Sequence, residues 1–179
     1  GSSIKRLAAE QSLPVTVLKT EDLARAGVTN AEQALTFIAS NQSSTVTANS
    51  VGSSNGGAAY ADLRGLGAAR TLVLVNGKRM VNNPYSAQSV DVNALPFGSI
   101  ERIEVLTDGA SAIYGTDAIA GVINFITRKE MTGFSVSADA SLPQASGGGK
   151  AYSAGISGGF GSLSDQGWNI FGGFSYRKQ

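Results

Sequence analysis

The 179-residue chain contains no cysteine and no histidine. Their absence removes thiol nucleophiles, imidazole acid–base catalysis, disulfide frameworks and zinc sites built on either residue. It leaves the redox compartment open. Charge of one sign is not in excess. The 14 Lys and Arg against 13 Asp and Glu leave +1, which gives no electrostatic basis for a nucleic-acid partner. No apolar run approaches the roughly 18 residues of a membrane-spanning helix. No secretory leader pattern is visible, so the chain reads as an excised mature segment. Gly1-Ser2-Ser3 read equally as native sequence or as a cloning remnant. Glycine, by contrast, is abundant: 23 residues, about twice the usual share, which points to small side chains and close backbone approach.

The first strand signal is Val15 to Val17, started by Pro14. Thr20 is expected to N-cap a helix with Glu21 and Asp22 in its first turn, and Gly27 to end it. Thr29 and Glu32 then have the spacing of a capping box, and Ala31, Ala34, Leu35 and Ile38 give the second helix its apolar face. Residues 40–60 form a long polar, Gly-rich loop. Strand signals resume at Tyr60 to Leu63 and are strongest at Thr71 to Val75. There Asn76-Gly77 predicts a type I′ hairpin turn before Lys78 to Val81. Residues 82–89 form a second polar loop, and Val92 to Leu95 a helical turn.

Leu95 to Arg128 carries the most information. A charged, alternating strand places Ile103 and Val105 on one face and Arg102 and Glu104 on the other. A Gly/Ala/Ser turn punctuated by Gly109 and Gly115 follows. Next comes the strand Val122 to Ile126, nearly all apolar apart from Asn124 and therefore expected to be buried on both faces. Beyond Lys129 apolar and polar residues alternate in three stretches of about 9–11 residues, starting near Phe134, Tyr152 and Trp168. Aromatics such as Phe134, Tyr152, Trp168 and Tyr176 lie near the strand ends. The pattern alone fits a soluble three-stranded meander and a set of transmembrane strands equally.

Three ordered segments resemble the plug domain of TonB-dependent outer-membrane receptors. They are Leu13 to Leu18 with Glu21-Asp22-Leu23; Leu63-Arg64-Gly65-Leu66-Gly67 with Arg70 to Gly77; and Leu95 to Arg128. Thr107-Asp108-Gly109-Ala110 departs from the pattern, standing where many members have a basic residue, then Gly and Pro. The resemblance implies an α+β fold, with a small mixed sheet and short helices over residues 1–130. Residues 131–179 would be the first three strands of a β-barrel in the bacterial outer membrane. Three strands cannot close a barrel, for which at least about eight are needed. Residues 134–179 are therefore expected to be disordered, to pair between chains or to fold back onto the plug.

The function implied is ligand-gated, TonB-energised uptake of a scarce nutrient: a siderophore–iron complex, cobalamin, an oligosaccharide or a peptide. Partners would be the chain's own barrel and TonB, the latter through a segment expected upstream of Ile4-Lys5-Arg6. Arg64 and Arg102 would face glutamates of the barrel wall as a lock. Read from the residues alone, Arg102 can equally pair with Glu104 on its own strand face. Tyr60, Asn82, Asn83, Tyr85 and Gln88 would meet the ligand from loops. A binding module without transport, periplasmic or extracellular, is the alternative.

No enzyme, cofactor or metal is expected. Gly65-x-Gly67 lacks the third glycine of a dinucleotide fingerprint and leads into a strand. Gly109-x-Ser111 lacks the second glycine of a nucleophile elbow, and no histidine is available to activate Ser111. Glu101 and Glu104 lie on opposite faces of a strand.

Overall fold

In the computed structural model, residues 15–41, 57–84, 89–141 and 151–178 are described. The chain divides into two compact units, the first ending at Thr127 and the second beginning at Arg128.

The first unit is a mixed five-stranded sheet with short helices. Its strands are β1 (Val15–Lys19), β2 (Thr71–Val75), β3 (Lys78–Arg79), β4 (Ile100–Leu106) and β5 (Gly121–Thr127), in the order β1-β4-β5-β2-β3. Among the described residues of this sheet, β2 and β5 pair in parallel and the other pairs are antiparallel. The apolar run of β5 takes the central place, as a strand with no wet face must. Ile123 and Phe125 point into one cluster with Val73, Ile103 and Val105. Val122 points into the other, with Leu72, Leu74 and Leu106. Each such side chain contributes about 1.5–3 kcal/mol relative to exposure.

The first cluster is covered by α1 (Thr20–Arg25) and α2 (Ala31–Leu35). Gly27 ends α1 with φ +86°. Ala31, Ala34, Leu35 and Ile38 are all buried, as their spacing predicts. Both helix starts differ from the sequence expectation. Thr20 does not cap α1. Its buried hydroxyl turns instead to the carbonyls of Ile100 (2.7 Å) and Glu101 (2.8 Å), beside the irregular pairing that opens β4. At α2 the cap shifts by one residue. Asn30 is extended and accepts from Gln33 N–H (2.8 Å), while Gln33 Oε1 accepts from Thr29 N–H (2.8 Å). Glu32 is thereby released to bond the Asn93 amide at 2.9 Å.

Asn76 (φ +51°) and Gly77 (φ +79°) form the turn between β2 and β3, with both central residues in the left-handed region that a type I′ turn requires. The strand after it stops at Arg79, and Val81 is almost fully exposed. The segment Tyr60 to Leu63 is not a strand: it makes one antiparallel bridge, Leu63 to Asn41, and is otherwise buried without regular secondary structure. The Gly/Ala/Ser turn contains a short helix, α3 (Ser111–Tyr114), that the sequence pattern did not announce. At Gly121 the need for glycine is steric as well as conformational. With φ +139°, a Cβ there would sit 2.6 Å from Leu106 O and 2.8 Å from Leu63 Cδ1.

Tyr60 corrects the sequence reading. It lies inside the first unit rather than on a ligand-facing loop, with only 7% of its surface exposed. Its hydroxyl is buried with no hydrogen-bond partner among the described residues. Burial, and then the negative charge of Asp91, raise its pKa.

The second unit is an antiparallel sheet of β6 (Gly133–Ser141), β7 (Ala151–Ser162) and β8 (Trp168–Lys178) in sequence order. Its described residues thus pair with one another. Val136, Ile156 and Phe174 share one cross-strand row and one face; Ser135, Ser157 and Gly173 form a row on the other.

Two outcomes follow from the first unit. Gly121→Ala should cost roughly 3 kcal/mol or more, from overpacking added to backbone strain. Gly115→Ala, also at positive φ but with open space around it, should carry only strain of roughly 1–2 kcal/mol. Hydrogen exchange at the Ile123 and Phe125 amides reads both; equal costs would contradict the packing argument. Tyr60 has a raised folded-state pKa, so its stabilising contribution is complete below the unfolded tyrosine value of about 10 and is lost as pH rises through the folded value. Tyr60→Phe should therefore flatten the alkaline fall in stability above about pH 10 in denaturant titrations. An unchanged slope would contradict this.

Candidate functional site

Two charged clusters occupy opposite ends of β4. At the first end, the register brings Arg102 of β4 level with Lys19 of β1 and Ile126 of β5. The Arg102 guanidinium donates to Glu101 through Nη1 (2.8 Å) and to Glu104 through Nε (3.0 Å). Glu104 is 8% exposed, a burial that a carboxylate tolerates only when paired and hydrogen-bonded. Its second oxygen accepts from Asn124 Nδ2 (3.2 Å), and Asn124 Oδ1 accepts from Gly77 N–H (2.9 Å). Asn76 adds two bonds to Thr127, through its Oδ1 to the backbone N–H (3.0 Å) and its Nδ2 to Oγ1 (2.8 Å). A continuous polar chain therefore runs from Arg102 to the β2–β3 turn across the middle of the sheet.

At the other end, Arg64 forms an ion pair with Asp108, both side chains being about half exposed. Arg64 sits at φ +61°, unusual for a residue with a Cβ, and its N–H donates to Ser40 O at 2.6 Å. The surrounding loop holds itself. Asp62 Oδ1 accepts from Gly67 N–H (2.9 Å), Thr71 Oγ1 accepts from Leu63 N–H (3.0 Å), and Arg70 donates to Leu66 O (2.9 Å). Arg102 is the third residue of β4, whereas Asp108 lies two residues past the strand's last residue, Leu106. The two arginines singled out in the sequence are thus held at separate ends, each beside local carboxylates.

Of the expected loop contacts, Asn82 is exposed and Asn83 partly so. Asn83 N–H donates to Ser89 O (2.7 Å), closing the base of its loop. Tyr85 and Gln88 lie outside the described residues. Tyr60 is interior, as described above.

Sequence reasoning did not give Asp91, Asp108, Asp117 or the Glu104–Asn124 contact a role. Asp91 Oδ1 accepts from the N–H groups of Ala59 (3.0 Å) and Asn93 (3.1 Å), tying an extended segment to a helical turn. Asp117 pairs with Arg79 at 2.6 Å. Only Asn124 left a visible signal, as a lone amide within an apolar strand. Among the described residues no group of three acidic side chains is placed to hold a metal ion.

The family model of the TonB-dependent receptor plug domain matches residues 8–122. Among curated proteins, the chain is 36% identical over 129 residues to the "Probable TonB-dependent siderophore receptor PirA" of Acinetobacter baumannii, covering 67% of this chain and 17% of that protein. It is 45% identical over 73 residues to an "Iron-regulated outer membrane virulence protein" of Vibrio cholerae, covering 38% of this chain and 11% of that one. The chain therefore spans less than a fifth of either relative's length. Among solved structures, the siderophore receptor PirA of Acinetobacter baumannii superposes with a TM-score of 0.60 at 28% identity, over 94% of this chain and 25% of that one. The ferric citrate transporter FecA, unliganded, shares the fold with a TM-score of 0.71 at 23% identity, over 94% of this chain and 26% of that one. With more than half its length matched by that family model, the chain belongs to the TonB-dependent receptor plug domain family.

Proposed function

We propose that this chain is the plug, with the opening barrel strands, of a ligand-gated and TonB-energised receptor that imports a scarce nutrient across the bacterial outer membrane. The observation that carries this beyond family membership is the register of the second unit. It puts Phe134, Val136, Ile156, Ile170 and Phe174 on one face, all well exposed, and places serine and glycine on most of the other. Trp168 lies at one end of that apolar face, and Tyr152 and Tyr176 toward the other. An apolar band with aromatic borders and a polar reverse side is the pattern of strands that meet lipid outside and water inside. The names of the relatives favour a ferric chelate over cobalamin, an oligosaccharide or a peptide.

In this reading residues 1–130 form the plug and residues 131–179 begin the barrel. Arg64 exchanges the exposed Asp108, and Arg102 the exposed Glu101, for glutamates on the barrel wall at little net cost, while Arg102 keeps its bond to the buried Glu104. Asn82, Asn83, Tyr85 and Gln88 present amide and phenol groups to the ligand. Catalysis has no part in this cycle. Ligand binding and the pull exerted by TonB supply the whole of it.

The test is made in cells producing the full receptor under iron limitation, with outer-membrane abundance and ferric-chelate uptake measured together. Phe174→Arg should lower abundance, because a cation near the middle of the apolar band costs about 2–4 kcal/mol, whereas Ser175→Arg on the reverse face should be tolerated. Arg64→Gln, which removes only an exposed pair, should keep abundance and reduce uptake several-fold. Equal abundance of the two arginine-insertion variants, with unchanged uptake by Arg64→Gln, would overturn the reading.

A further inference from the structure

The segment Glu130 to Thr132, which leads into β6, is held by side chains and not by a strand ladder. Asn169 of β8 reaches back across β7 to do most of this. Its Oδ1 accepts from Met131 N–H (3.1 Å), and its Nδ2 lies 2.7 Å from Gly161 O, 3.0 Å from Met131 O and 3.2 Å from Phe160 O. The amide thus pairs with both backbone groups of Met131, as a neighbouring strand would. Thr132 Oγ1 donates to Gly161 O (3.2 Å), and Glu130 Oε2 accepts from Leu163 N–H (3.1 Å). Three consecutive residues are therefore pinned to the β7–β8 end of the sheet.

Glycine makes room for this arrangement. A Cβ on Gly159 would fall 2.1 Å from Met131 O and 2.8 Å from Phe171 Cβ, so the strap lies where a side chain would otherwise stand. Gly133, at φ +100°, turns the chain from the strap into β6.

The position matters mechanically. β6 lies at an edge of the described sheet, and its first residue, Gly133, pairs with Gly159. Tension carried along the chain from Thr127 would reach β6 at that end and peel its ladder one pair at a time. The strap puts its polar contacts ahead of the first ladder bond and passes the load to β7 and β8. We infer that Asn169, with the space left by Gly159, is a mechanical anchor: it fixes Met131, at the centre of a strap completed by Glu130 and Thr132, so that movement of the preceding unit stops before β6. This rests on the reading of the first unit as a plug that is pulled; Asn169 serves it as a positioning residue.

The absence of native cysteine allows unique attachment points. Thr16→Cys and Gln166→Cys, both exposed, provide handles for single-molecule pulling on the full 179-residue chain in detergent micelles. With Asn169 present, extension should arrive in two separated steps, the first releasing residues up to the strap and the second releasing β6 and β7. With Asn169→Ala the steps should merge, or the second should fall to a lower force. Thr132→Val, which leaves Asn169 intact, should lower the second step by a smaller amount and serves if Asn169→Ala fails to fold. Protection of the Ile156 and Phe174 amides from exchange confirms that β7 and β8 remain formed. Identical second-step forces in all folded variants, or a single merged step with Asn169 present, would overturn the anchor. Neither ligand nor TonB enters the assay, so failure of the transport reading shows in uptake and failure of the anchor shows only here.

Discussion

Burying β5 on both faces leaves one polar side chain, Asn124, with no route to water, and the rest of the first unit is arranged around meeting its needs. Asn124 is fully buried, and so must find partners within the sheet. It finds Glu104 on one neighbouring strand and Gly77 in the turn that follows the other. Because side chains alternate along a strand, a shift of one residue in β4 would carry Glu104 to the opposite face and leave Asn124 unpaired. The same shift would move Ile103 and Val105 out of their cluster. The apolar and polar requirements therefore select one register together, and neither could be met in another.

This arrangement gives the sheet a firm centre and weaker edges. β5 is enclosed, whereas β1 is an edge strand on which Val17 is half exposed. Under the proposed role the unit is displaced and restored, and elements that yield in such a cycle are drawn from the less protected margin of a fold. The two arginine clusters fit the same division. The Arg64–Asp108 and Arg102–Glu101 pairs are open to water and individually weak, while the buried Glu104 keeps one oxygen committed to the interior.

Much of the fold was legible in the sequence because periodicity and turn chemistry are local. The two-sided burial of β5, the Asn76-Gly77 turn, the buried face of α2 and the alternation of the last three strands all followed from residue type and spacing. What escaped were choices settled by distant partners. Thr20 has the chemistry of a cap, yet the carbonyls of Ile100 and Glu101, some eighty residues away, take its hydroxyl. Tyr60 sits in a stretch that reads as strand or loop edge, and only tertiary packing shows that it is enclosed. The local partners of Arg64 and Arg102 were only half foreseen. Glu104 was visible on the same strand face, whereas Asp108 lies 44 positions from Arg64. Asn169 reads as an ordinary inward polar residue of a strand until Met131 is brought beneath it.

The central claim, that Asn124 joins the sheet to the β2–β3 turn, is most directly tested by amide hydrogen exchange in Asn124→Leu, a substitution that keeps the volume and removes the polar atoms. Losing this bond leaves Gly77 N–H and one Glu104 oxygen without their partner, at about 1–3 kcal/mol for a buried group. The account predicts that the Gly77 amide loses at least about tenfold of its protection, more than the Ile123 and Phe125 amides lose. A Gly77 amide that exchanges at the wild-type rate in that variant would contradict it.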